Sequence, residues 1–136
     1  VEYTASALVD LDLHASAGEA PVDVLAFEKA TLDRLGMPQG IIMRHRTPHF
    51  AHVFSGDGYS SSYYSYLWSE VLDADGFDAF TEAGDIFDPE TAARLRRFVY
   101  GAGNLRDPRD AYTAFRGRLP STGPLLKKRG LVQAAA

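Results

Sequence analysis

The stretch YSSSYYSYLWSEVL, residues 59–72, is the strongest helix signal in the sequence and predicts a helix from Ser60 to Ala74. Helical spacing divides its side chains between two faces. One face carries a polar row, Tyr59, Tyr63, Tyr66 and Glu70. The opposite face is the predicted core side and carries Tyr64, Leu67, Trp68, Val71 and Leu72. We therefore predict a helix that presents a row of phenols on one face and packs into the core through its tryptophan and leucines on the other.

Helix signals continue on both sides of this stretch. Further helices are predicted at about residues 4–14, 22–35, 88–101 and 107–117, with a final turn at 125–130. In the second of these, the predicted apolar stripe consists of Val24, Leu25, Phe27, Leu32 and Leu35. Ile41, Ile42 and Met43 suit a short strand or a buried extended segment. The predicted fold class is mainly α, with a short irregular or extended stretch around residues 40–58.

The composition limits the classes of function. The chain has 136 residues, of which 46% are hydrophobic and 24% charged, and this is typical of one soluble domain with a modest core. Its formal net charge of -4 disfavours nucleic acid as the main partner. Because the sequence has no cysteine, it excludes disulfides and thiolate chemistry, and a reducing compartment fits. The apolar runs fall far short of the ~20 residues that span a bilayer, so we expect no membrane segment.

Charge is distributed unevenly along the chain. Residues 69–90 contain eight acidic side chains and no basic one, whereas residues 91–136 contain ten basic and two acidic side chains. Either these segments face each other and solvent, or the basic one docks on an acidic surface of a missing N-terminal part. Nucleic-acid binding by the basic segment is disfavoured, because it lacks the interleaved aromatic residues that stack on bases.

Residues that can carry chemistry are concentrated between His45 and Glu70, where three of the four histidines and four of the seven tyrosines lie. In a dry cleft, a protonated phenol can donate a hydrogen bond to a developing oxyanion. The alternative is that these tyrosines are amphipathic residues at a surface or interface. The loop SGDG, residues 55–58, fits either close backbone approach to a ligand or a plain mobile loop.

A metal site made from local histidines is disfavoured. His45, His49 and His52 would share a face only if their segment were helical, and Pro48 opposes that helix. The sequence also contains no HExxH motif. We therefore assign no metal ligand within this chain.

Two stretches, HFAHVFSGDGY (residues 49–59) and YYSYLWSEV (residues 63–71), closely resemble one family of zinc metallopeptidases. That family comprises thimet oligopeptidase, oligopeptidase A and peptidyl-dipeptidase, and the likeness is to its C-terminal part. It covers nearly the whole chain, since residues 4–14, 115–118 and 128–131 also match family stretches. The run LDAD, residues 72–75, is most similar to the bacterial peptidyl-dipeptidase branch.

The resemblance implies three catalytic residues. His52 stands where a family histidine contacts the substrate. Tyr59 and Tyr66 stand where phenols donate hydrogen bonds to the scissile carbonyl and to the tetrahedral intermediate. These roles follow from the resemblance and not from the spacing of the residues alone.

The resemblance also implies three substrate-binding residues, Tyr63, Gly56 and Gly58. The two glycines belong to a loop that closes over bound peptide in the family. Asp57 and Leu105 depart from the family pattern, and Asp57 leaves the substrate preference open.

The family's zinc ligands do not occur in this sequence. In the family they come from HExxH and from a glutamate some two dozen residues later, upstream of the segment that this chain resembles. We therefore expect residues 1–136 to be a single C-terminal fragment of a larger cytoplasmic metallopeptidase catalytic domain, inactive alone. Its expected partners are short peptide substrates and the missing N-terminal part of the same protein.

A non-catalytic helical module that binds peptides or docks on a partner is the alternative function. An upstream reading frame that contains HExxH would favour the enzyme, and an initiator just before Val1 would favour the module. On the fragment interpretation, we expect self-association through exposed apolar surface. The sequence leaves open whether the parent is an endopeptidase or removes C-terminal dipeptides.

Overall fold

The computed structural model describes residues 1–16, 18 and 21–132. Within these residues it contains no β-strand and six α-helices: α1 (Glu2–Ala15), α2 (Val24–Arg34), α3 (Ser65–Ala83), α4 (Pro89–Leu95), α5 (Pro108–Arg116) and α6 (Gly123–Lys128). Two 3-10 helices, Thr47–His49 and Ala51–Phe54, and a π-helical turn, Arg96–Tyr100, are also present. The mainly α-helical fold class is therefore confirmed. None of the helices in these described ranges is long and apolar enough to cross a membrane.

The chain divides into two units, of which unit 1 is Val1–Leu67 and unit 2 begins at Trp68. In unit 1, α1 contributes small residues to the interior, where Ala5, Ala7 and Val9 are all buried. A compact cluster of buried side chains consists of Ala7, Phe50, Val53 and Tyr63, with Tyr3 packed against it. The core of unit 1 therefore joins α1 to the region around the 3-10 helices.

The predicted apolar stripe of α2 is only partly buried, since Val24, Phe27 and Leu32 are half-buried while Leu25 and Leu35 are exposed. Leu25 is 54% exposed, and the buried residues of the helix are Glu28 and Thr31. The carboxylate of Glu28 accepts a hydrogen bond from the Thr47 amide at 2.7 Å and pairs with Arg46. A buried backbone N–H needs an acceptor, so a carboxylate occupies the face where the sequence pattern predicts an apolar side chain.

Helix α3 begins at Ser65 and ends at Ala83, not at Ser60 and Ala74 as predicted. Residues 59–64 instead form turns, so Tyr59 and Tyr63 do not share a helical face with Tyr66 and Glu70. The predicted core face is also partly wrong. Val71 is buried, but Tyr64 and Trp68 are about half exposed, at 48% and 54%.

The stretch around residues 40–58 is irregular apart from the two 3-10 helices. Residues 41–43 form no strand, and the alternative of a buried extended segment holds only for Met43, since Ile41 is 41% and Ile42 73% exposed. The two 3-10 helices meet at Phe50, whose ψ of 58° interrupts helical geometry. The histidines of this region therefore do not lie along one helix.

Unit 2 follows the predicted helix signals closely. Asp88 caps α4 by accepting a hydrogen bond from the Thr91 amide at 2.6 Å, and Asp107 caps α5 through the Arg109 amide at 2.8 Å. Each cap precedes a proline at the first helical position. Helix α5 ends at Arg116 and is followed by Gly117, whose φ of 79° favours glycine.

The acidic and basic segments of unit 2 form ion pairs with each other, as one of the two alternatives predicts. Asp75 is buried in α3 and pairs with Arg116 and Arg118. Arg116 also makes a two-pronged contact with Glu82, in which both N···O distances are 2.6 Å. Exposed pairs join Glu70 to Arg129 and Asp73 to Lys128.

Candidate active site

His52, Tyr59 and Tyr66, the three predicted catalytic residues, come together in unit 1. The ring centroid of His52 lies 5.1 Å from that of Tyr59 and 5.9 Å from that of Tyr66. The Tyr66 hydroxyl is 3.4 Å from His52 Nε2. Tyr59 and Tyr66 are each about half exposed, at 50% and 54%. Two phenol hydroxyls and one imidazole are therefore available on the same surface of this unit.

Tyr63, which was predicted to contact substrate, lies in the core and is 8% exposed. Its ring stacks on Tyr3 at 4.9 Å and meets the edge of Phe50 at 4.7 Å. It also contacts His52 and Tyr66, with ring centroids 5.8 and 5.6 Å away. Tyr63 thus packs against two of the three catalytic candidates, His52 and Tyr66.

The glycine loop is open around both of its glycines. Apart from the adjoining residues of the chain, no heavy atom of the described residues would lie within 4 Å of a β-carbon at Gly56 or Gly58. Gly56 has a φ of 153°, which side chains rarely adopt, and its carbonyl accepts a hydrogen bond from the Tyr59 amide at 3.0 Å. Gly56 is therefore required by the backbone turn that leads into Tyr59.

Two residues of α1, Tyr3 and Asp10, hold the segment between Tyr59 and Tyr66, a third, His14, pairs with Asp10, and the sequence pattern predicts a role for none of them. The Tyr3 hydroxyl donates a hydrogen bond to the Tyr63 carbonyl at 2.5 Å. Asp10 accepts hydrogen bonds from the amides of Ser61 and Tyr63, each at 3.1 Å. His14 Nδ1 lies 2.8 Å from Asp10 Oδ1. The available sequence signal was the i, i+4 spacing of Asp10 and His14 on a largely apolar helix.

Burial changes the acidity of one of these groups. The pKa of the Tyr3 hydroxyl is raised by burial and, to a smaller extent, by the neighbouring Tyr63. The raised pKa favours the protonated hydroxyl, which is the form that donates the hydrogen bond to the Tyr63 carbonyl.

Within residues 1–16, 18 and 21–132, no three histidine, aspartate or glutamate side chains are grouped so that they could hold a metal ion. The donor set of this part of the chain does not fit zinc. The chemistry available to the site is hydrogen-bond donation by phenols and imidazole.

Comparison with known proteins gives consistent matches along the chain. The family model described as peptidase family M3 matches residues 1–131. The chain is 37% identical over 133 residues to dipeptidyl carboxypeptidase of Escherichia coli (strain K12), a match that covers 96% of this chain and 19% of that protein. It is 47% identical over 90 residues to probable cytosolic oligopeptidase A of Arabidopsis thaliana, covering 64% of this chain and 13% of the relative.

A third relative gives a similar result. Oligopeptidase A of Haemophilus influenzae is 42% identical over 88 residues, covering 64% of this chain and 13% of the relative. The chain thus spans no more than about a fifth of the length of these relatives. The resemblance inferred from the sequence is confirmed, since the family model covers nearly all of the chain. The chain belongs to peptidase family M3.

Proposed function

We propose that this chain is the C-terminal part of a zinc metallopeptidase that hydrolyses short peptides, as an oligopeptidase or a peptidyl-dipeptidase. The proposal is supported by the family match and by relatives named dipeptidyl carboxypeptidase and oligopeptidase A. The observation that carries it is the grouping of His52, Tyr59 and Tyr66 around one exposed patch. The activity belongs to the complete protein, which we place in the cytoplasm, and the fragment alone is inactive.

Tyr66 and Tyr59 act as hydrogen-bond donors to the substrate. Amide hydrolysis places negative charge on the carbonyl oxygen, and a prepositioned donor stabilises that charge in the transition state more than in the ground state. The contact of the Tyr66 hydroxyl with His52 is long, at 3.4 Å, so the hydroxyl can turn to a substrate oxygen at little cost. His52 contacts the peptide beside it.

Zinc supplies a polarised water when it is bound in the complete protein. We place its ligands in the part of the complete protein that lies outside this chain. The role of this chain is to bind the peptide and to hold donors at its carbonyl. Gly56 and Gly58 leave room for the loop to approach the peptide, and the buried Tyr63 ring packs against Tyr66 and His52.

A non-catalytic docking module is the second candidate. It is favoured by one observation, an apolar cavity of about 540 Å³ in unit 2 whose lining includes Trp68, Phe98 and Leu119. Such a cavity fits an apolar peptide side chain. The module interpretation requires that peptide binding persists when the phenols of unit 1 are changed.

The decisive experiment substitutes Tyr66→Phe in the complete peptidase, with Tyr64→Phe as the matched control. Tyr66→Phe removes one hydroxyl and keeps the ring, so kcat should fall by about 10² or more with little change in KM. Tyr64→Phe removes a hydroxyl from a half-exposed neighbour and should leave kcat unchanged. Near wild-type turnover of Tyr66→Phe would show that the phenols are structural and would favour the docking module.

A further inference from the structure

We propose that Asp10 is the positioning residue of the site, and that it fixes the relative placement of Tyr59, Tyr66 and His52 through the backbone of residues 61–63. This inference deepens the proposed function and rests on it. Asp10 acts through other groups and does not itself contact the substrate.

Asp10 is a fully buried carboxylate, with a side-chain exposure of 0%. Its two oxygens are used separately, since Oδ1 accepts from the Ser61 amide and Oδ2 from the Tyr63 amide, both at 3.1 Å. The two residues are 51 and 53 positions away in sequence. A buried carboxylate is stable only when donors surround it, and here backbone amides supply them.

The backbone that Asp10 binds is strained. Ser61 has a φ of 58°, and it is the one non-glycine residue with a positive φ among the described ranges. A serine adopts this conformation only when its surroundings enforce it. Asp10 binds the amide of Ser61 itself and the amide of Tyr63 two residues later. These two hydrogen bonds can hold Ser61 in this conformation.

The anchored segment lies between the two phenols of the site. Tyr59 precedes it, Tyr63 packs within it, and α3 begins two residues after Tyr63 and carries Tyr66. The Tyr3 hydroxyl holds the Tyr63 carbonyl at 2.5 Å, so α1 binds both the amide and the carbonyl of this residue. A shift of the segment would therefore move Tyr66 relative to Tyr59 and change the donor geometry.

His14 completes the anchor. Its Nδ1 lies 2.8 Å from Asp10 Oδ1, and its ring packs against Phe54 with centroids 5.6 Å apart. Phe54 belongs to the same 3-10 helix as His52. The Asp10–His14 pair thus contacts both the segment that leads to Tyr66 and the helix that carries His52.

The experiment compares Asp10→Asn with Glu28→Gln, a matched control on α2. Glu28 is also a buried carboxylate that accepts a backbone amide, but its amide is that of Thr47. In nuclear magnetic resonance spectra of the 136-residue chain, Asp10→Asn should shift the Ser61 and Tyr63 amides and weaken the ring contacts between His52 and Tyr66. Glu28→Gln should shift Thr47 and leave Ser61 and Tyr63 in place.

In the complete peptidase, Asp10→Asn should lower kcat by about 10- to 100-fold, because misplaced donors lose transition-state stabilisation. Its effect should be less than additive with that of Tyr66→Phe, because the part that acts through the Tyr66 hydroxyl is already lost in that variant. A merely structural role would give additive losses in the double variant. Unchanged His52–Tyr66 ring contacts in Asp10→Asn, or additive losses, would overturn the proposal.

Two further outcomes keep this proposal separate from the proposed function. If Tyr66→Phe is fully active, the catalytic role of the phenols fails, while the ring contacts in the spectra still test Asp10 directly. If Asp10→Asn loses helical circular dichroism, His14→Gln replaces it in the double-mutant cycle with Tyr66→Phe. His14→Gln removes the imidazole partner of Asp10 and leaves the carboxylate bonded to both backbone amides. A smaller, non-additive loss of kcat then supports the proposal, and an additive loss overturns it.

Discussion

Tyr112 of α5 donates a hydrogen bond from its hydroxyl to Asp75 Oδ2 of α3 at 2.7 Å, across 37 positions of sequence. Arg118 binds the other carboxylate oxygen at 2.7 Å, and Arg116 approaches Oδ2 at 3.2 Å. Burial alone would raise the pKa of Asp75, but these three partners together hold it below its usual value. The same cluster raises the pKa of Tyr112, first through burial and then through Asp75. Asp75 therefore ties α5 and the residues after it to α3.

The first prediction concerns the stability of unit 2. Asp75→Asn removes the charge from a buried ion-pair network, so the free energy of unfolding should fall by about 3 kcal/mol or more. Asp73→Asn is the control, since Asp73 pairs with Lys128 at the exposed surface and should cost less than about 1 kcal/mol. Urea unfolding followed by circular dichroism measures both, and equal small losses would contradict a structural role for Asp75.

The second prediction is a loss of stability in acid. The pKa of Asp75 is lowered in the folded chain, and so is that of Glu82, chiefly by its hydrogen bond from Arg116. The unfolded chain therefore binds more protons at low pH, and stability rises with pH in that range. The contribution should be complete above the ordinary carboxyl pKa of about 4 and should be lost as pH falls through the lowered values.

Unfolding of the wild type and of Asp75→Asn between pH 7 and pH 3 measures this contribution. The wild-type free energy of unfolding should decrease more steeply below about pH 4 than that of the variant. Parallel curves would show that Asp75 does not account for the acid sensitivity.

The third prediction separates the two phenols of the site. Tyr59 follows the glycine loop directly and is held by the Gly56 carbonyl, whereas Tyr66 lies in the first turn of α3. In the complete peptidase, Tyr59→Phe should lower kcat by about 10² and should also raise KM more than Tyr66→Phe does. Identical KM values for the two variants would contradict a loop that engages the peptide on binding.

The fourth prediction concerns zinc in the isolated chain. Because the described residues offer no fitting donor set, the 136-residue chain should not retain zinc. Dialysis against zinc, followed by washing with a chelator and elemental analysis, should leave far less than one ion per chain. A chelator-resistant, near-stoichiometric ion would reinstate a site made from the local histidines.

The fifth prediction is self-association. Phe87 is 81% exposed and Leu105 is 87% exposed, which is unusual for large apolar side chains. We expect the chain to form oligomers at high concentration, and the variant Phe87→Ser to weaken them. Sedimentation velocity over a concentration series measures this, and a strictly monomeric species throughout would count against the expectation.

The sequence by itself determined the features that depend on neighbouring residues. The Asp-Pro pairs at Asp88 and Asp107 predict the starts of α4 and α5, because a cap side chain reaches amides only two or three residues ahead. Residues 49–71 carried enough family-specific pattern to identify the peptidase family and to single out His52, Tyr59 and Tyr66. The family assignment needed no structure.

Only the tertiary structure decided where α3 begins and which of its side chains are buried. The pattern of residues 59–72 favours a helix from Ser60, but Asp10, 51 positions before Ser61, binds the amides of Ser61 and Tyr63 and holds them in a turn. Glu28 is likewise buried because its carboxylate accepts a hydrogen bond from the buried Thr47 amide. Periodicity cannot anticipate either outcome, because a distant carboxylate that satisfies a buried amide outweighs the local preference for helix.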